Sequence, residues 1–403
     1  MMIDKQRRRS LAAGASLLGL GLAGGLARAA GPRPILIGLD AEFRDRTSTS
    51  DEAIRLGIEL AIADINRDGG LLGGRPLQLM ALDNRSLPAR GIENVRAFGA
   101  IDDLVAYLCG KFSPVALASL PVIHELGLPL LDPWAAADGI VDNGYSPNYV
   151  FRVGLRDSWA MQVLIDDLAR RGIRDIGLFV PNSGWGRSNE SAARAHIAAR
   201  PELALRATAW HNWGGETDLM NRYLPMLEKG ARGLVLVANE PEGAVLVRNM
   251  ASLPPSRRIP VVSHWGVTGG RFAELCGPAL HEIDLKIIQT FSFARLRNAE
   301  ARRLAERSAQ AYGVSDPLEI PSALGIAQAY DLVRLLALAI QQAGSTDRAA
   351  IRAALEALPP YEGVVRRYAP AFTANRHEGL SRDDLLLTRF DRKGRLLPVY
   401  SEG

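Results

Sequence analysis

The sequence lacks the residue patterns of the common enzyme classes. Its six histidines are scattered, and none stands in an H-E-x-x-H motif or in a cysteine–histidine spacing suited to zinc. A G-x-S-x-G nucleophile elbow, a P-loop and a strand-linked G-x-G-x-x-G are also missing. We therefore predict a protein that is not an enzyme and that has no metal site and no cofactor.

Cysteine is scarce, since the 403 residues include only Cys109 and Cys276. An even count in an exported protein could mean a disulfide, but the two residues lie far apart in the chain. Free cysteine behaves as a small apolar residue and is commonly buried. We predict two buried free thiols, with a bridge between them as the alternative.

The chain carries little net charge once its N-terminus is set apart. The formal charge is +4, and residues 1–29 contribute a net +4 of their own, which leaves the remainder neutral. A neutral protein offers no electrostatic reason to bind nucleic acid or an anionic membrane surface. Neither partner is therefore expected.

Residues 1–29 have the layout of an export signal. Basic residues at 7–9 precede an apolar segment that runs from Leu11 to about Leu26, and Ala27-Arg28-Ala29 provides a cleavage site. The apolar segment is short and rich in glycine, which makes it a poor membrane anchor. The arginines followed by Ser-Leu suggest the twin-arginine route, with ordinary secretion as the alternative. No later segment reaches eighteen uninterrupted apolar residues, so we predict a soluble periplasmic protein.

The rest of the chain alternates strands with helices in two runs. The first run has predicted strands at 35–39, 77–82, 104–109 and 129–131. The second has strands at 176–180, 203–210, 233–238 and 259–263. Repeated β-α units build parallel sheets with helices on both faces. We therefore predict an α/β fold with two doubly wound lobes, whose facing strand-end loops form a ligand cleft.

Several element boundaries are predicted from capping and turn chemistry. Thr49-Ser50-Asp51-Glu52 is a capping box for the first helix, and Asp157 or Ser158 caps a later helix. Residues 181–186 are expected to form a loop that leads into a helix from about Ser188. Helices at 299–312 and 321–343 and strands at 385–390 and 396–399 complete the chain.

These features together resemble the type I periplasmic binding proteins of branched-chain amino-acid ABC transporters, the leucine/isoleucine/valine-binding group. The matching segments, in order, are Ile35–Leu39, Ala61-Ile62-Ala63-Asp64-Ile65-Asn66-Arg67-Asp68-Gly69-Gly70, Gly127-Leu128-Pro129-Leu130-Leu131-Asp132-Pro133, Trp185-Gly186-Arg187-Ser188 and Ala329-Tyr330-Asp331. The resemblance spans nearly all of residues 31–400, and its specificity lies in the order and spacing of the segments.

The resemblance implies two intertwined lobes. One lobe would contain residues 31–152 and 291–362, and the other residues 153–290 and 363–403. Three crossings, near Phe151-Arg152, Thr290-Phe291 and Gly363, would form a hinge on which the lobes close over a ligand. The family also implies an ABC permease and ATPase as partners. A monomer is the default expectation.

Candidate ligand residues in the first lobe follow its strands. Lys111, Phe112 and Ser113 come after the third strand, where a helix N-terminus, a hydroxyl and an ammonium suit a carboxylate. Thr49 and Ser50 follow the first strand and could bind ligand or serve only as caps. In the resembling family the loop after the fourth strand binds ligand, which adds three candidates: Trp134, Ala135 and Ala136.

Candidates in the second lobe are aromatic and polar. Trp185 stands where the family has a pocket aromatic, and Glu240 could pair with an ammonium or lie in a solvated loop. His264 and Trp265 occupy a region where amino-acid-binding relatives carry an acidic residue, and this sequence has none there. The ligand could therefore be a planar or aromatic carboxylate, an amide or an amino acid.

Function is predicted on this basis as ligand capture for an ABC importer. The alternative is an exported ligand-sensing protein of the same fold that reports to a signalling partner.

Overall fold

The computed structural model describes residues 32–43 and 48–399. The predicted export signal, residues 1–29, lies outside the described residues.

The described residues form fourteen strands and eleven α-helices. The strands are β1 (Ile35–Ala41), β2 (Leu77–Asp83), β3 (Leu104–Cys109), β4 (Leu130–Asp132), β5 (Val150–Arg152), β6 (Asp175–Pro181), β7 (Ala204–His211), β8 (Gly233–Leu236), β9 (Val261–Ser263), β10 (Leu285–Gln289), β11 (Tyr361–Glu362), β12 (Arg367–Tyr368), β13 (Leu386–Phe390) and β14 (Leu396–Pro398). The helices are α1 (Ser50–Arg67), α2 (Pro88–Gly99), α3 (Ser113–Glu125), α4 (Asp157–Arg170), α5 (Gly184–Ala198), α6 (Met220–Glu228), α7 (Glu240–Ala251), α8 (Phe272–Cys276), α9 (Ala299–Tyr312), α10 (Ala323–Ala343) and α11 (Arg348–Leu355).

The first sheet is entirely parallel, with strand order β2-β1-β3-β4-β5. Its central strand β3 is buried along its whole length, as expected for a strand covered by helices on both faces. Parallel strands end at the same edge of a sheet, so the loops after β1, β3 and β4 come together there. These loops carry the candidate residues of the first half of the chain.

The second sheet has the order β14-β13-β10-β9-β8-β6-β7. Strands β6 to β10 are mutually parallel, whereas β13 and β14 add an antiparallel edge. The loops after β6, β7, β8 and β9 therefore also share one edge. Two sheets of this kind confirm the predicted α/β, doubly wound fold.

Helix α10 packs against both α1 and α11. It packs along α1 so closely that a Cβ on Gly57 would lie 2.2 Å from the carbonyl oxygen of Ile326. Among the described residues, only α10 is long and apolar enough to span a bilayer, and 83% of its most apolar window is buried in the protein. Its apolar character is accounted for by this packing in the core.

The helix starts differ from the sequence expectation. Thr49 precedes α1, but its side chain makes no cap bond and the capping box does not form. Asp157 lies inside α4 after Arg156, and its carboxylate bonds elsewhere. Helix α5 begins at Gly184, four residues before the predicted Ser188, because the Ser183 hydroxyl accepts from the Gly186 N–H.

Four strands, β5, β10, β11 and β12, were not predicted from the sequence. Strands β5 and β10 are short and fully or almost fully buried, and such runs carry no alternating pattern. Strands β11 and β12 have only two residues each. The two cysteines are free and buried, as predicted.

Candidate functional site

A narrow cleft lies where loops from the two sheets face one another. The residues lining it are Lys111, Phe112, Ser113, Trp134, Ala136, Trp185, Trp213, Asn239, Trp265 and Gly266. The first five follow strands of the first sheet, and the others follow strands of the second. The cavity between them is only about 10 Å³, about the room that one water molecule needs, so the two walls lie close together.

Lys111 and Glu240 form an ion pair across this cleft. The Lys111 Nζ lies 3.3 Å from Oε1 and 3.5 Å from Oε2 of Glu240, and the two side chains are 5% and 0% exposed. Burial raises the pKa of Glu240, and the positive charge of Lys111 opposes that rise. The alternative of a solvated loop carboxylate is wrong, because Glu240 starts α7 and is fully buried.

The loop that carries Lys111 is fixed by Asp51 in the first turn of α1. The Asp51 carboxylate accepts from the backbone N–H of Lys111 at 2.8 Å and from that of Glu42 at 2.7 Å. Burial raises the pKa of Asp51 to about 6, although Lys111 lowers it. A Cβ on Gly110 would lie 2.6 Å from this carboxylate, so glycine is required for the close approach.

Trp185 is held against a buried acid and histidine. Its indole N–H donates to Asp157 at 3.1 Å, and Nε2 of His264 lies 3.0 Å from the same oxygen. The second carboxylate oxygen of Asp157 and Nδ1 of His264 are buried and have no hydrogen-bond partner among residues 32–43 and 48–399. Asp157 therefore brings an acidic group next to His264 through tertiary contact, although it does not line the cleft.

Trp134 and Trp265 join the two walls at the base of the cleft. Their ring centroids are 5.3 Å apart, and both rings are almost completely buried. The Trp134 loop is shaped by Asp132, whose carboxylate accepts from the N–H groups of Trp134 and Ala135. Burial raises the pKa of Asp132 to about 6.

Trp213 is a cleft residue that sequence reasoning missed. It follows β7 and packs edge-on against Phe112, with 5.3 Å between the ring centroids. Its indole nitrogen is buried and has no partner in the described part of the chain. The sequence could have indicated Trp213 as a site residue, since it follows strand β7 in the same way that Trp185 follows β6.

The structure brings most predicted site residues to one place. Seven of them line the cleft: Lys111, Phe112, Ser113, Trp134, Ala136, Trp185 and Trp265. Glu240 and His264 stand directly behind this lining, paired with Lys111 and Asp157. Ala135 is fully buried behind the lining.

Thr49 and Ser50 are the other two predicted site residues outside the lining. Their backbone N–H groups donate to the carbonyl of Gly269, which belongs to the opposite side of the cleft. For all twelve predicted site residues, inside and outside the lining, ligand binding stays a prediction.

The chain is similar over most of its length to several known proteins. The sequence model of a family described as periplasmic binding protein matches residues 34–395. The Leu/Ile/Val-binding protein homolog 2 of Brucella abortus strain 2308 is 22% identical over 364 residues, which are 89% of this chain and 91% of the relative.

Solved structures extend this similarity. A type 1 periplasmic binding protein from Bordetella pertussis Tohama I has a TM-score of 0.81 and 25% identity, over 91% of this chain and 100% of that protein. A solute-binding protein of an ABC transporter from R. palustris, solved with benzoate, has a TM-score of 0.74 and 18% identity, over 91% of this chain and 95% of that protein.

Proposed function

Since the chain belongs to the periplasmic binding protein family, we propose that it is the substrate-binding subunit of an ABC importer. In this proposal it captures a small polar metabolite in the cleft and performs no chemistry on it. The family's description implies a periplasmic location, and residues 1–29 would be the export signal. A permease and an ATPase would be its partners, and the protein would act as a monomer.

The Lys111–Glu240 pair is the observation that best supports this proposal. Lys111 lines the cleft on the side of the first sheet, Glu240 stands directly behind the lining on the side of the second sheet, and the two side chains are buried together. Buried charges are costly unless they are paired, so a pair of this kind suits a site that exchanges protein partners for ligand partners. Aromatic rings on both walls would hold the remainder of the ligand.

The cleft chemistry supports an amino acid or a related carboxylate or amide as ligand. Lys111 can hold a carboxylate, and Glu240 can hold an ammonium if the ligand is a zwitterion. The Brucella relative is named as a homolog of Leu/Ile/Val-binding protein, and the R. palustris protein was solved with benzoate. Both ligand types have a carboxylate, which the ammonium of Lys111 could hold, and an apolar part, which the four tryptophan rings of the cleft could hold.

Closure would occur at three chain crossings between the two sheets. The chain passes from the first sheet to the second after β5, leaves the second after β10, and returns to it after β12. We propose residues 31–152 and 291–362 as one lobe and 153–290 and 363–403 as the other. Hinge motion at these crossings would open the cleft to solvent.

A thermal-shift and calorimetric screen tests the proposal. The panel contains leucine, isoleucine, valine, benzoate, aromatic amides and dicarboxylates. A ligand at about 100 times its Kd stabilises the folded state by about 2.7 kcal/mol, which raises the Tm by several degrees. Lys111→Met and Trp185→Ala should each abolish this shift.

Lys229→Met is the matched control, since Lys229 is exposed at the end of α6. Binding that persists in both the Lys111→Met and Trp185→Ala variants would place the ligand elsewhere and overturn the proposed site.

A further inference from the structure

The N-terminus of α1 is capped from across the cleft. The backbone N–H groups of Thr49 and Ser50 both donate to the carbonyl oxygen of Gly269, at 2.7 and 2.8 Å. Gly269 follows β9 of the second sheet, whereas α1 packs with the first sheet. The first N–H groups of a helix have no partner within the helix, so separation of the lobes removes an acceptor from α1.

Ser48 connects this cap to the ion pair. Its Oγ lies 2.5 Å from the Nζ of Lys111, 3.1 Å from the Gly269 oxygen and 3.0 Å from Oγ of Ser50. An ammonium group has only donors, so Lys111 must donate to the Ser48 oxygen. The single hydroxyl proton of Ser48 is then left for an acceptor, and the Gly269 carbonyl, the Ser50 hydroxyl and the Glu240 carboxylate all lie within its reach. Lys111 thereby favours the donor role of Ser48 toward Gly269.

Glu240 lies against the same segment and closes the network. A Cβ on Gly269 would lie 2.7 Å from Oε1 of Glu240, so the glycine allows its carbonyl segment to approach the acid. Gly269, Ser48, Lys111 and Glu240 therefore form a ring of adjacent groups. Two members come from each side of the cleft.

We infer that Ser48 is a positioning residue that couples Lys111 to closure of the lobes. When the ammonium of Lys111 is held at the cleft, Ser48 accepts from it and donates to Gly269, which adds a bond across the cleft and holds the Gly269 carbonyl over the N-terminus of α1. When Lys111 is displaced, Ser48 no longer has a fixed orientation and the cap weakens. A ligand group that binds Lys111 would therefore affect closure of the lobes. This consequence rests on the proposed binding function.

Hydrogen exchange of the Thr49 and Ser50 amides tests the coupling without any ligand. The purified protein is compared with Ser48→Ala, which removes the relay, and with Ser48→Thr, which keeps the hydroxyl. Both substitutions are repeated in a Lys111→Met/Glu240→Gln background, where the charges are absent and no buried acid is left unpaired. Ser252→Ala is the control, because the exposed Ser252 hydroxyl donates within its own lobe to Asn249.

We expect Ser48→Ala to raise the hydrogen-exchange rates of the Thr49 and Ser50 amides about tenfold. An increase of this size is typical when a hydrogen bond to a charged group is lost. Ser48→Thr and Ser252→Ala should stay near the wild-type rate. In the Lys111→Met/Glu240→Gln background, Ser48→Ala should change exchange by less than about twofold, because coupled substitutions are not additive.

Equal acceleration by Ser48→Ala in both backgrounds would overturn the inference, since Ser48 would then act independently of Lys111. An unchanged rate in the wild-type background would overturn it as well. Neither result depends on the ligand screen, so failure of the proposed binding function is recognised separately.

Discussion

Arg152 and Glu378 form a buried bidentate pair at the first chain crossing. The Arg152 Nε lies 3.0 Å from Oε2 of Glu378, and its second nitrogen lies 2.5 Å from Oε1. The remaining guanidinium nitrogen donates to the carbonyls of Ala135 and Ala137. The guanidinium is fully buried. It thus joins the end of β5, the C-terminal segment and the loop that carries Trp134.

Removal of one partner of this pair should destabilise the protein strongly. We expect Glu378→Ala to lower the free energy of unfolding by about 3–5 kcal/mol, because it leaves Arg152 buried without its main counter-charge. Urea unfolding measures the change. Glu125→Ala, which breaks an exposed pair with Arg96, is the control and should cost less than about 1 kcal/mol. Similar losses of unfolding free energy in both variants would mean that the burial of Arg152 does not determine the cost of removing its partner.

Trp213 should slow the escape of a ligand. Its ring bridges the cleft to Phe112, so its removal opens one side of the site. We expect Trp213→Ala to raise the dissociation rate of a bound amino acid or benzoate about tenfold, with a smaller effect on association. Stopped-flow fluorescence measures both rates. Trp159→Ala is the control, since Trp159 lies outside the cleft lining beside Arg156; an equal effect there would contradict a specific role of Trp213.

The stabilisation that protonated Asp40 contributes should fall as the pH rises from about 4 to about 6. Burial raises the pKa of Asp40 to about 6, against the hydrogen bonds donated by Asn94 and Asn84, and the Asp83 carboxylate adds to the rise. The folded protein thus binds this proton more tightly than the unfolded chain does. The resulting stabilisation is full below about pH 4 and is lost as the pH rises through about 6.

Asp40→Asn should reduce the dependence of the unfolding free energy on pH in this range. The contribution of Asp40 across the window is at most about 3 kcal/mol, and the asparagine does not titrate. The pKa values of Asp51 and Asp132 are also raised to about 6, so some slope should remain. Urea unfolding at a series of pH values provides the measurement. An unchanged slope in the variant would refute the assignment to Asp40.

Gly57 should not tolerate a side chain. Its Cα faces the backbone of α10, and a Cβ would lie 2.2 Å from the carbonyl oxygen of Ile326. We expect Gly57→Ala to lower the unfolding free energy by about 1–3 kcal/mol through displacement of α1 from α10. Gly139→Ala is the control, since the nearest atom there is 3.5 Å away, and it should change stability by less than about 0.5 kcal/mol. A neutral Gly57→Ala would mean that the two helices can separate slightly without loss.

Local patterns were sufficient for most of the fold. The predicted third strand, 104–109, matches β3, and the predicted helix at 299–312 matches α9. These elements have strong periodicity or long apolar runs, and chain-local signals decide them. Strands β5 and β10 were missed because three to five buried residues carry no distinguishing period.

The sequence alone also determined which loops could carry a site, because residues after parallel strands must share an edge. It could not determine the partners of those residues. Lys111 and Glu240 are 129 positions apart, and His264 and Asp157 are 107 apart. Asp157 looked like a helix cap and Ser48 had no assigned role, because hydrogen-bond partners of buried polar groups are chosen by the packing of distant segments. Only the tertiary structure, by bringing two sheet edges together, decided which charges meet across the cleft.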